Sequence, residues 1–183
     1  MKLIILDRDG VINQDSDEYI KSVDEWIPLP GSIDAIARLT QAGYTVVVVT
    51  NQSGLARGLF DISELHAIHS KMHDTVNKAG GRIDAVLFCP HGPGDDCKCR
   101  KPKPGMLHSV MERLNRDLAG VPVVGDSLRD LQAAMAVGAM PVLVLTGKGA
   151  RTLENNMGLE ENIAVYDDLA TFVENLLEEG KEA

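Results

Sequence analysis

The sequence predicts an α/β fold, a doubly wound parallel sheet built by a single domain over residues 1–183. Three observations carry that expectation. Short apolar runs rich in β-branched residues recur along the chain, segments of helical periodicity separate most of them, and polar or reactive residues follow the apolar runs at once. Strands that alternate with helices form a parallel sheet covered on both faces. A chain of 183 residues is long enough to bury a sizeable core as one domain.

The elements follow in order. Lys2–Leu6 is continuously apolar after its first residue, as a strand buried on both faces must be. Ser32 can cap a helix whose apolar face is Ile33, Ile36, Ala37 and Leu39, ending at Gly43. Thr45–Val49 is the second strand. Ser63 can open a helix through Leu65, Ile68, Met72 and Val76, closed by Gly80-Gly81. Ala85–Phe88, Val121–Val124 and Val142–Leu145 are the next strands, and Met106–Leu118, Leu128–Val137 and Leu169–Leu177 the next helices. The Glu178–Ala183 tail is expected to fray. His66, His69 and His73 fall at helical spacing, which here reads as a partly solvated helix face and not as a metal set.

A net charge of −9 argues against nucleic acid or an anionic membrane surface as partner, and makes Arg100-Lys101-Pro102-Lys103 conspicuous. No apolar run approaches the roughly 18 residues of a membrane span, and the N-terminus enters a strand with no signal-peptide pattern, so a cytoplasmic location is expected. All three cysteines lie between Cys89 and Cys99, an odd and clustered set that makes a poor disulfide framework. With His91, however, Cys89, Cys97 and Cys99 supply four ligands for tetrahedral Zn²⁺. Closed coordination of that kind is structural, and would pin a Gly- and Pro-rich loop with little apolar content.

In open α/β sheets ligands bind beyond the carboxyl ends of the strands. Asp7 and Asp9 follow the first strand, and the two-residue period of a strand sends both carboxylates to one side. A pair so placed either holds a divalent cation or does nucleophilic and acid–base work. Thr50-Asn51-Gln52-Ser53-Gly54 follows the second strand, Cys89-Pro90-His91 the third and Gly125-Asp126-Ser127 the fourth.

These signatures in this order resemble the haloacid dehalogenase superfamily of phosphotransferases. The resemblance runs from Asp7 to about Gly149 and rests on Asp7-Arg8-Asp9-Gly10-Val11, Thr50-Asn51, Arg100-Lys101-Pro102-Lys103-Pro104-Gly105 and Gly125-Asp126 with Asp130. It implies a Rossmann-like sheet in which Asp7 attacks phosphorus and Asp9 serves as general acid and base. It implies Mg²⁺ held by the Asp7 carboxylate, the Asp9 backbone carbonyl and the Asp126 carboxylate, with Thr50, Asn51 and a lysine stabilising the phosphoryl oxygens. The shared Arg-Lys-Pro points to Lys101 and leaves Lys103 as a solvated loop cation. Asp130 either orients the metal site or complements a helix dipole.

The intervals from Gly10 to Thr50 and from Asn51 to Lys101 are filled by helices, one strand and the cysteine loop, so no large cap domain fits. Specificity then falls to the Asn13–Trp26 segment and the zinc loop. Zinc loop and missing cap together resemble two groups, one removing the 7-phosphate of a heptose 1,7-bisphosphate on the route to lipopolysaccharide, the other acting on histidinol phosphate. The stretches Thr50–Gly58, Lys103–Met106 and Thr146–Gly149 favour the first. A bisphosphate brings a second dianion, which Ser53, Arg57 and Arg100 suit; Asp15 and Tyr19 can bond sugar hydroxyls, and Gln52 sits among the substrate-facing residues. A non-catalytic zinc module would have no use for Asp7, Asp9 and Asp126. A phosphomutase would need a cap to keep water from the acyl phosphate. The expected partner is a small sugar bisphosphate, and the expected state a monomer.

Overall fold

The computed structural model describes residues 1–161 and 163–182. Among them, six strands pair in parallel in the order β3-β2-β1-β4-β5-β6. The chain runs β1 (Lys2–Leu6), α1 (Ser32–Gln41), β2 (Tyr44–Asn51), α2 (Ile62–Lys78), β3 (Ala85–Cys89), α3 (Gly105–Leu114), β4 (Pro122–Gly125) and α4 (Leu128–Ala136). It continues through β5 (Met140–Val144), α5 (Gly149–Glu154), β6 (Ala164–Tyr166) and α6 (Leu169–Glu182). The doubly wound sheet expected from the sequence is present, and the connections leave no room for a large cap.

Strand alternation divides the core in two. Ile4, Leu6, Val46 and Val48 pack with Ile36 and Leu39 of α1, Ile68 and Met72 of α2 and Phe172 of α6. Leu3, Ile5, Val47 and Val49 face Met106, Leu107 and Val110 of α3 and Ala133 and Ala134 of α4. That period-two division explains why β1 and β2 read as unbroken apolar runs. Chain order reverses at β1, which pairs with β2 on one side and with β4 on the other. The crevice above that switch point is where such folds bind ligands.

Several expectations are corrected. The residue before α1 is Gly31, at φ 76°, while the buried Ser32 hydroxyl donates to Ile12 and Leu29 carbonyls, tying the helix to the loop below it. Asp61, not Ser63, caps α2 by accepting from the Glu64 amide. The helix expected to Leu118 stops at Leu114 because Asn115 turns left-handed. The short elements α5 and β6 were too brief to carry a periodic pattern. Helix α6 continues through the tail expected to fray, as far as Glu182; Ala183 lies outside the described residues. Trp26 is fully buried core, and of the Asn13–Trp26 segment only residues within Asp15–Ile20 line the cleft described below.

Candidate active site

A cleft of about 180 Å³ opens over the carboxyl ends of β1, β2 and β4. Asp7, Asp9, Asp15, Tyr19, Thr50, Asn51, Gln52, Ser53, Arg100, Lys101 and Asp126 all line it, so nearly every expected site residue converges there. Asp7 is held at the sheet by its amide, which donates to the Val124 carbonyl at 2.9 Å. Its carboxylate accepts the Arg8 amide at 2.7 Å and lies 3.1 Å from the Lys101 ammonium. Burial pushes the Asp7 carboxyl up to about 7 against the pull of Lys101.

Lys101, not Lys103, reaches the site. Its ammonium is buried, 2.6 Å from Asp130 and 2.8 Å from the Val49 carbonyl. Lys103 stays at the surface, donating to the Cys97 carbonyl. Asn51 departs from its expected role: its amide donates to the Lys101 carbonyl and accepts the Lys101 amide, both at 3.1 Å. The side-chain amide thus clamps the lysine's backbone in place, while Asn51 still lines the cleft. Asp130 is also decided. One oxygen pairs with Lys101, and the other accepts the Ser127 amide and hydroxyl in a capping box at the start of α4.

Asp126 sits in a slot walled by two glycines. A Cβ on Gly10 would lie 2.0 Å from its Oδ2, and one on Gly147 would lie 2.2 Å away. Both glycines have positive φ. The Lys148 amide donates to Oδ2 at 2.8 Å, yet burial, then Asp130 and Asp7, push the Asp126 carboxyl up to about 8. Ligand oxygens of Asp7, Asp126 and Asp130 lie within 4.8 Å of one another. Lys101 is shared between Asp130 and Asp7, so one ammonium serves a cluster of three carboxylates. That oxygen donor set suits a hard divalent cation.

Asp9 is the most heavily bonded of the acids. Arg8, Asn13 and Gln52 all donate to its carboxylate, and Gln52 also donates to the Thr50 hydroxyl. Burial is the largest influence and opposes its charge, but the Arg8 charge together with the hydrogen bonds from Arg8, Asn13 and Gln52 holds the carboxyl below its ordinary range.

The four zinc-type ligands come together where β3 ends. His91 Nδ1 lies 3.6 Å from Cys89 Sγ and 3.3 Å from Cys99 Sγ; Cys97 and Cys99 sulfurs lie 3.9 and 2.9 Å from that of Cys89. With Zn–S of ~2.3 Å, tetrahedral edges are on the order of 3.5–3.8 Å, so the set closes around one ion with small adjustment. Burial raises the Cys89 thiol to about 12, and a metal at that spot is what would hold it as thiolate. The Arg100 guanidinium donates to the His91 carbonyl at 3.2 Å, so the loop reaches the cleft through that side chain.

Around the rim one expectation changes. Arg57 does not line the cleft; its guanidinium lies 5.7 Å above the Tyr19 ring, and Tyr19 in turn faces the cleft at φ 68°. Two cations were missed: Arg129 on α4 and Lys148 beyond β5, the latter paired with Asp15 at 2.9 Å. Lys148 was within reach of sequence reasoning, since it follows a strand end, but Thr146–Gly149 was read only as a subgroup marker. His69 was misread as solvated; it is buried against Arg8.

Comparison with known proteins agrees with this geometry. The family model described as Polynucleotide kinase 3 phosphatase matches residues 2–130, and one described as HAD-hyrolase-like matches residues 98–172. A curated D-glycero-beta-D-manno-heptose-1,7-bisphosphate 7-phosphatase of Bordetella bronchiseptica is 63% identical over 98% of this chain and 99% of its own. The chain belongs to that family of haloacid dehalogenase-like phosphatases. The crystal structure of the B. bronchiseptica phosphatase, complexed with magnesium and phosphate, superposes at a TM-score of 0.95 with 62% identity, covering 98% of this chain and 99% of that one. The Burkholderia thailandensis D,D-heptose 1,7-bisphosphate phosphatase gives 0.76 with 51% identity, covering 97% and 99%. Among the described residues, no helix of this phosphatase is long and apolar enough to cross a membrane.

Proposed function

We propose that this phosphatase, working as one monomeric domain in the cytoplasm, removes the 7-phosphate of D-glycero-D-manno-heptose 1,7-bisphosphate. The preferred anomer is β, the one in the relatives' names. The observation that carries the reading is the convergence of Asp7, Asp9, Thr50, Lys101 and Asp126 in one cleft rimmed by Arg100, Arg129 and Lys148. An Asp7 oxygen attacks phosphorus, and the bond to the sugar oxygen breaks as Asp9 delivers its proton there. Asp9 is ionised in the free protein; the arriving phosphoryl dianion, a like charge, raises its proton affinity, so that Asp9 takes up from solvent the proton it then delivers. Asp9 then takes a proton from the water that attacks the aspartyl-phosphate, and inorganic phosphate leaves.

Lys101 and the Thr50 hydroxyl offset charge on the transferring oxygens. Asp7, Asp126 and the Asp9 carbonyl would hold Mg²⁺, which would supply positive charge to offset that on the phosphoryl oxygens. Cys89, His91, Cys97 and Cys99 would hold Zn²⁺, which would fix the loop that carries Arg100 and Lys101. Ser53, Arg100, Arg129 and Lys148 suit the phosphate that is not cleaved, and Asp15 and Tyr19 the sugar hydroxyls. The test is kcat/KM for the heptose bisphosphate against histidinol phosphate, with Asp7→Asn as control. Wild type is expected to favour the bisphosphate by at least about a hundredfold, since charge-assisted contacts to the second phosphate are worth ~1.5–3 kcal/mol each. Asp7→Asn is expected to be inactive. Comparable constants for the two substrates would refute the assignment, and turnover by the Asp7 variant would refute the covalent route.

A further inference from the structure

Arg8 lies between the two catalytic aspartates and takes no part in the chemistry above, yet its side chain is completely buried. A guanidinium survives burial only when its donors are matched. Here Nε lies 2.8 Å from Asp9 Oδ1 and NH2 3.1 Å from Oδ2, a fork on both oxygens of one carboxylate. The third nitrogen, NH1, lies 3.2 Å from His69 Nε2. His69 stands on α2, a helix that contributes no residue to the cleft lining, and its ring leans on Phe88 of β3 at 6.2 Å between centroids. Burial, then the neighbouring Arg8 charge, pushes the imidazole down to about 3, so the ring is neutral and its Nε2 is free to accept.

From this geometry we infer that Arg8 and His69 are positioning residues for Asp9: the fork sets the carboxylate's plane, and the imidazole behind it sets the fork. The inference rests on the reading of Asp9 as general acid and base. A group that must deliver a proton to one oxygen and later collect one from water has to keep a single orientation through both steps. Asn13 and Gln52 add one donor each, but both side chains are amides that can rotate, whereas a guanidinium gripped at both ends cannot. Rigid second contacts of this kind are what hold a reacting group within the tolerance proton transfer demands, where a displacement of ~1 Å costs on the order of a hundredfold.

The test exploits leaving groups. Magnesium-loaded wild type, Arg8→Lys, His69→Leu and His69→Gln are assayed on a simple primary alkyl phosphate and on p-nitrophenyl phosphate, whose phenolate departs without needing a proton. Arg8→Lys is expected to lose about 10–100-fold in kcat/KM on the alkyl ester and under about threefold on the aryl ester. His69→Leu should show the same selectivity at about three- to tenfold. His69→Gln, whose carbonyl still accepts from Arg8, should stay within about twofold of wild type on both. Equal losses on the two esters would mean that the pair only supports the fold, and would overturn the inference. So would a His69→Leu enzyme that matches wild type on both. Should Arg8→Lys fail to fold, the two His69 variants decide by themselves. Failure of wild type on the heptose bisphosphate would count against the substrate reading, whereas the alkyl-to-aryl ratio speaks to the inference alone.

Discussion

Gly147→Ala tests whether the glycine slot around Asp126 is what makes the metal site. The added methyl would lie 2.2 Å from Asp126 Oδ2 and 2.5 Å from the Gly10 Cα. Ordinary contact needs roughly 1 Å more, and Asp126 cannot retreat because Gly10 closes the other wall. Two costs add. Left-handed backbone at φ 56° costs alanine about 1–2 kcal/mol, and overpacking a closed site about 1–3 more. At about 2–4 °C per kcal/mol for a protein of this size, Tm should fall by about 4–20 °C. Gly43→Ala isolates the first cost, for Gly43 has φ 80° with nothing within 4 Å of the added methyl. It should lose only the backbone part and keep full activity. A displacement of ~1 Å at Asp126 should in addition lower kcat/KM about a hundredfold and raise the Mg²⁺ concentration for half-maximal activity. The assay is a magnesium titration of phosphatase rate beside thermal unfolding of both variants. A Gly147→Ala enzyme with wild-type magnesium dependence and rate would refute the reasoning, whatever its Tm.

Two further outcomes follow from the charges and the sulfur site. Asp7 and Asp126 have folded values of about 7 and about 8, above their ordinary 3.8, so they bind protons in the folded state that the unfolded chain has released. Stability from these groups is present below about pH 4 and lost as pH rises toward 8, and the cation relieves that loss only once the carboxylates are free of protons. The Tm gain from saturating Mg²⁺ should therefore be larger at about pH 8 than at about pH 5.5, measured by thermal unfolding; an unchanged gain would count against paired ligation by Asp7 and Asp126. If the quartet holds zinc, wild type should purify with about one ion per chain, and Cys97→Ala should purify without it and lose about 10–100-fold in kcat/KM, because the His91 carbonyl that Arg100 grips belongs to the loop that precedes Lys101. Metal analysis beside kinetics checks this, and a fully active protein free of zinc would end the idea.

Residue types and their order determined the doubly wound sheet, the strand ends that carry Asp7, Asp9, Thr50 and Asp126, and the zinc-type quartet. Those features are local, since a strand's period, a reactive side chain at its end and short ligand spacings are all visible within a few neighbouring residues. What only the tertiary structure decided is what distant residues do to one another. Asn51 spends its amide on Lys101, Asp130 divides itself between a helix cap and that same lysine, and Gly10 and Gly147, far apart in the chain, leave a slot one carboxylate wide. His69 read as solvated because helical spacing reports which residues share a face, while what packs on that face is set by a different strand. Its neighbour there is Arg8, whose side chain is fully buried and does not line the cleft. A hydrogen bond or a steric limit is a property of two positions in space, so no single stretch of the chain can announce it.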